Sequence, residues 1–128
     1  MGKKYLSLDK LEVYKLAREL SRITWEIYQE LDWQNKKSQG DQFLSATDSV
    51  GANIAEGFGR FHFLDKVKFY FNARGSLLES RHWLDLLDER EKVKVLLKKR
   101  FLYCYKNLRP ALSGLIESAM KAKRNDNP

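Results

Sequence analysis

Apolar residues recur at three- and four-residue spacing along most of the chain, the period of a helix rather than a strand. Val13, Leu16, Ala17, Leu20, Ile23, Ile27 and Leu31 predict a first helix from about Asp9 to Leu31, with Asp9-x-x-Glu12 as a capping box and Ser7 as an alternative cap. Asp32 to Gly40 is polar and reads as a loop, so a second helix starts at Ser38 or Asp41. Its core face is Phe43, Leu44, Thr47, Val50, Gly51, Ile54 and Phe58, and Ser45, Ser49, Ala52 and Glu56 form a mostly small second face. After a turn at Arg60–Phe63, a third helix runs from about Phe63 to Arg90 and a fourth from about Lys92 to Ala122. Leu97, Phe101, Cys104, Leu108, Leu112, Leu115 and Ala119 are the core stripe of the fourth. Pro110 projects away from that stripe, so a kinked but continuous helix is expected.

The second helix holds three of the seven glycines, Gly51, Gly57 and Gly59. Glycine in a helix interior costs about 1 kcal/mol relative to alanine, so each needs a structural offset. Close helix approach at Gly51 and a left-handed C-cap at Gly57 or Gly59 supply one.

Two helices carry more apolar surface than one small bundle buries. Leu11, Tyr14, Arg18, Ser21 and Trp25 follow a second line on the first helix, where a monomeric bundle helix is polar. On the third, Val67, Tyr70, Phe71, Leu77, Leu78 and Leu84 face one side and Phe69, Ala73, Trp83 and Leu87 another, leaving Lys68, Asn72, Glu79 and His82 solvated. Self-association through Leu11, Tyr14, Trp25, Phe69 and Trp83 follows as the expectation. Arg74 and Arg81 fall inside the wide apolar sector and call for carboxylates, with Asp85, Asp48 and Glu56 as candidates.

Composition fits one domain, residues 1–122, with a short polar tail at 123–128. The lone Cys104 has no internal disulfide partner, which fits a reducing cytoplasm, and no apolar run approaches the roughly 20 residues of a membrane span. The net charge of +7 is concentrated: Lys92 to Arg124 holds ten lysines and arginines against Glu117 alone. Lys92, Lys99, Lys106, Arg109, Lys121 and Arg124, with Tyr103 for stacking, are the candidate phosphate-tracking surface. No catalytic constellation accompanies it. There is no phosphate-binding glycine loop, dinucleotide fingerprint or paired metal motif, and Glu79-x-x-His82 is half of a di-iron signature whose other half is missing. The expectation is a non-enzymatic protein with no cofactor and no metal.

Asn53-Ile-Ala-Glu56-Gly57 followed by Arg60, then Ala73-Arg-Gly75-Ser76-Leu77 with Glu79, resembles the paired signature segments of the four-helix-bundle proteins encoded in bacterial 23S rRNA intervening sequences. That group is similar in fold to the accessory variability determinants of diversity-generating retroelements. Phe43 to Val50 departs from the group in lacking basic residues. The resemblance implies an all-α, antiparallel up-down four-helix bundle assembling into a homo-oligomeric ring, a homopentamer in particular. Two functions are in play. One is a basic oligomer binding structured RNA or other nucleic acid. The other is a protein-binding adaptor, for example an accessory subunit of a retroelement reverse transcriptase.

Overall fold

The structure, a computed structural model, describes residues 6–126, with side chains described through residue 122. Four long helices carry it, α1 (Glu12–Glu30), α2 (Asp41–Phe58), α3 (Phe63–Glu89) and α4 (Val95–Asp126), and there is no strand among the described residues.

The start of α1 differs from the predicted capping box. Asp9 lies inside a separate 3-10 turn, Leu8–Lys10, and the N-cap is Leu11, whose side chain has nothing to offer the free amides. α1 buries Val13, Ala17, Leu20, Ile23, Thr24 and Ile27, as its main apolar line requires.

The predicted loop after α1 is helical. Asp32 accepts the Asn35 amide at 2.8 Å and caps a turn at Trp33–Asn35, which passes through a π-helical segment, Lys36–Gly40, directly into α2. Polarity alone suggested a loop, whereas a short aspartate cap nucleates the turn. Packing then holds the π segment: a Cβ on Gly40 would lie 2.9 Å from Leu31 Cδ1, and the Tyr28 hydroxyl donates to Asp41 at 2.7 Å.

Neither glycine at the end of α2 is left-handed; every described glycine has a negative φ. Gly57 lies within the helix and Gly59 ends it at φ −78°. The exposed carbonyls of α2 are met by a lysine instead. Lys66 Nζ donates to the Gly57 oxygen at 3.2 Å and to the Phe58 oxygen at 2.9 Å, and partial burial lowers its pKa. The left-handed residue is Glu91, at φ 59°, after α3. Its amide bonds the Asp88 carbonyl and that of Lys92 bonds Leu87, both at 2.9 Å, which is a Schellman closure with glutamate in the glycine position.

α3 buries a single line, Tyr70, Ala73, Leu77, Ser80, Leu84 and Leu87. The wide apolar sector is therefore not enclosed within the chain: Phe71 is 37% and Leu78 54% exposed. Arg74 is exposed beside the Phe71 ring, and Arg81 pairs with Asp85 at 2.9 Å. Of the cross-helix carboxylates expected, Glu56 pairs within its own helix end, with Arg60 at 2.6 Å.

α4 begins three residues later than predicted and runs unbroken past Pro110 to Asp126. Ile116, with Tyr105, joins its buried line, and Leu115 is only partly buried. α1 packs chiefly on α2 and α4, and α3 on the same two helices, around one shared core.

Candidate nucleic-acid interface

The cations of α4, with Lys94 just before it, divide into two sets. Lys94, Lys98 and Arg100 turn toward neighbouring helices and meet carboxylates there: Glu30 at 3.1 Å, Asp88 at 2.6 Å and Glu26 at 2.8 Å. Lys99, Lys106, Arg109 and Lys121 are exposed, and none of them joins an ion pair among the described residues. Tyr103, 73% exposed, lies on the same helix, and the Asn107 side-chain amide donates to its backbone carbonyl at 2.9 Å.

These outward residues occupy two flanks. Lys99 and Tyr103 edge a groove of about 500 Å³ against α1, floored by Leu16, Ile23 and Cys104. Lys106 and Arg109 edge one of about 550 Å³ against α3, where Arg81 joins them. Arg81 was read from the sequence as an arginine needing a carboxylate. Its i+4 partner Asp85 was legible, but its meeting with α4 depends on tertiary packing.

Lys92 leaves the predicted surface. It precedes α4, in the connector, near Asp32. The Asn35 amide foremost, with the Lys92 charge assisting, holds the Asp32 carboxyl below its ordinary pKa. Arg124 lies on α4, but its side chain is outside the described residues.

The proposed contact residues are also redistributed. Leu11, Tyr14 and Trp83 are partly buried against the chain's own core, Phe69 is partly buried beneath the Arg60 guanidinium, and Trp25 stays 48% exposed. Trp25 and Tyr14, with Arg18 and Ser21, border a groove of about 860 Å³ whose other wall is Gly51, Ala52 and Ala55 of α2.

The signature residues do structural work. Asn53 donates to the Ser49 carbonyl at 2.9 Å, Glu56 holds Arg60, and Arg60 covers Phe69 at 4.9 Å. Glu79 accepts the Trp83 indole N–H at 3.0 Å. Gly57 lets Tyr70 approach, whereas Gly75 is exposed with open space around it and Ser76 is partly buried. Cys104 donates to the Leu16 carbonyl at 3.3 Å, and burial first, with Glu19 assisting, raises its pKa to about 11. It is a packed thiol rather than a nucleophile.

The family model for the 23S rRNA-intervening sequence protein matches residues 9–114, which include α1 to α3, the first part of α4 and both signature segments. The chain belongs to that family. Among solved structures, a protein of unknown function from the S23 ribosomal protein family of Bacteroides thetaiotaomicron is similar at a TM-score of 0.74 and 22% identity, over 82% of this chain and 95% of that one. At that identity the likeness supports the fold alone. No curated protein matches the chain. No described helix is long and apolar enough to cross a membrane.

Proposed function

We propose that this family member is a non-catalytic nucleic-acid-binding protein that engages structured RNA through the outward face of α4. One observation carries the reading: Lys94, Lys98 and Arg100 are neutralised by carboxylates of other helices, while Lys99, Lys106, Arg109 and Lys121 are exposed and join no ion pair among the described residues, with the exposed ring of Tyr103 on the same helix. A positive surface of this kind binds phosphate by releasing counterions, and an exposed aromatic stacks on any base. Recognition is therefore led by charge and shape.

The chain acts as an up-down, antiparallel bundle within a ring, a homopentamer. Partner numbers that run in opposite senses between neighbouring helices support the bundle: Tyr28 with Asp41 and Thr24 with Thr47, Asp88 with Lys98 and Arg81 with Tyr105. The groove between α1 and α2, with a floor of small residues and half-exposed Trp25 at its rim, fits a second copy. A ring repeats the α4 surface once per subunit and multiplies weak contacts into avidity.

The test is salt-dependent binding of a structured RNA by the wild type and by Lys99→Glu/Lys106→Glu. The double variant is expected to bind all sequences more weakly with a flatter salt dependence, its oligomeric state intact. Unchanged affinity would reject the surface. Absence of any wild-type RNA or DNA binding at low salt would favour the adaptor reading, with a reverse transcriptase as partner. Light scattering tests the ring: Trp25→Asp, which leaves the core untouched, is expected to dissociate it, and a 15.1 kDa wild-type species would refute assembly.

A further inference from the structure

The groove between α3 and α4 gathers positive charge from two helices around one buried ring. The Arg81 guanidinium carbon lies 5.4 Å and that of Arg109 6.0 Å from the centroid of Tyr105, which is only 5% exposed. Lys106 and Ser113 line the same groove of about 550 Å³. The carboxylate paired there is Asp85, bonded to Arg81 Nε at 2.9 Å, and neither Arg109 nor Lys106 is ion-paired among the described residues. Three cations thus converge with one counter-charge. Both guanidinium groups are steadied by the same rigid ring, so their donors are held in place before a ligand arrives. A planar N–H fork matches a tetrahedral oxyanion, and a hydroxyl at the groove adds a neutral donor.

We propose that this groove is a phosphate subsite, which seats one backbone phosphate of the RNA strand between Arg81 and Arg109 with Lys106 at its edge. The proposal rests on the reading that α4 binds RNA and deepens it. It carries the strand off α4 and onto α3, and makes Arg81 a binding residue. A strand phosphate is favoured over a free one because Lys106, at the edge of the groove, is also one of the exposed cations of α4, two helical turns from Lys99.

The experiment measures binding of a short labelled single-stranded RNA against salt. Arg81→Gln/Arg109→Gln is expected to bind about tenfold more weakly, with a log–log salt slope shallower by about 0.7, the value for one single-strand phosphate. Binding unchanged from wild type overturns the subsite. If the double variant loses its fold, Arg109→Gln alone should weaken binding and Asp85→Asn, which releases Arg81, should tighten it; the reverse in either overturns the proposal. Lys99→Gln/Lys121→Gln separates the two readings. If it loses affinity while the arginine pair does not, the α4 surface stands and the subsite fails. If the arginine pair alone loses affinity, the subsite stands and the contribution of Lys99 and Lys121 to the outer face fails. Thermal stabilisation of the wild type by inorganic phosphate, without RNA affinity, would overturn the assignment to a strand.

Discussion

Tyr70 of α3 closes directly over Gly57 of α2: a methyl group on Gly57 would lie 2.6 Å from Tyr70 Cε1 and 3.1 Å from Phe69 Cβ. Gly51, by contrast, has 3.7 Å to the Ala17 methyl, an ordinary contact. The two glycines should therefore answer oppositely to alanine. Gly57→Ala is expected to lower stability by about 1–3 kcal/mol through overpacking, against a helix-propensity gain of at most about 1 kcal/mol. Gly51→Ala should be neutral or stabilising by up to about 1 kcal/mol. Urea unfolding of both variants checks the pair, and equal midpoints would refute the assignment.

Glu91 occupies a left-handed conformation that costs a residue with a Cβ roughly 1 kcal/mol, yet the two bonds of its closure are intact. Glu91→Gly should raise stability by about 1 kcal/mol. A lower melting temperature would show that the glutamate side chain has a stabilising role of its own.

The two cation sets of α4 should separate in assays. Lys98→Gln and Arg100→Gln remove partly exposed ion pairs with Asp88 and Glu26, and surface pairs are typically worth about 0–1 kcal/mol. They should change melting slightly and leave the salt slope of RNA binding as it is, whereas Lys99→Gln and Lys106→Gln should do the converse. Equal effects from all four would show that only net charge matters.

Cys104 is expected to react slowly with a disulfide reagent at neutral pH and rapidly once the chain is unfolded. Its thiol ordinarily ionises near 9.0 and here near 11. The folded chain therefore holds that proton where the unfolded chain has lost it. The resulting stabilisation is fully present below pH 9.0 and is lost as pH rises through 11. A Cys104→Ser variant should show a shallower decline over that window.

The buried lines of α1 and α4 were legible in the sequence because a helix repeats its core contacts at fixed spacing. The segment between α1 and α2 was not. Its residues are polar because the turn is exposed, and polarity does not distinguish a loop from a solvated helix started by Asp32. Gly57 was read as a cap and Gly51 as the close approach, whereas the close approach is at Gly57; glycine serves both a positive φ and a close approach, and only the position of Tyr70 decides between them. Phe71 and Leu78 were read as part of an apolar sector too wide for one bundle to bury, and both are exposed in the single chain. At the candidate interface, exposed Lys99, Tyr103, Lys106 and Lys121 were readable from one helix, whereas the meeting of Arg81 with Arg109 requires two.

Thr24 and Thr47 are fully buried, and they satisfy one another: Thr24 donates to the Thr47 oxygen at 3.2 Å, and Thr47 to the Phe43 carbonyl at 2.9 Å. Tyr28 and Asp41 form a second polar tie at the end of α1 nearest the connector; between the two ties the buried residues of α1 and α2 are apolar and would tolerate displacement along their length. A slip of one helical turn, about 5.4 Å, would strand the Thr24 hydroxyl among those apolar neighbours. Leaving it unbonded costs about 1–3 kcal/mol. The threonine pair therefore acts as a ratchet tooth that admits one seating of α1 on α2, and it keeps Trp25 and the small residues of α2 at fixed positions across their shared groove.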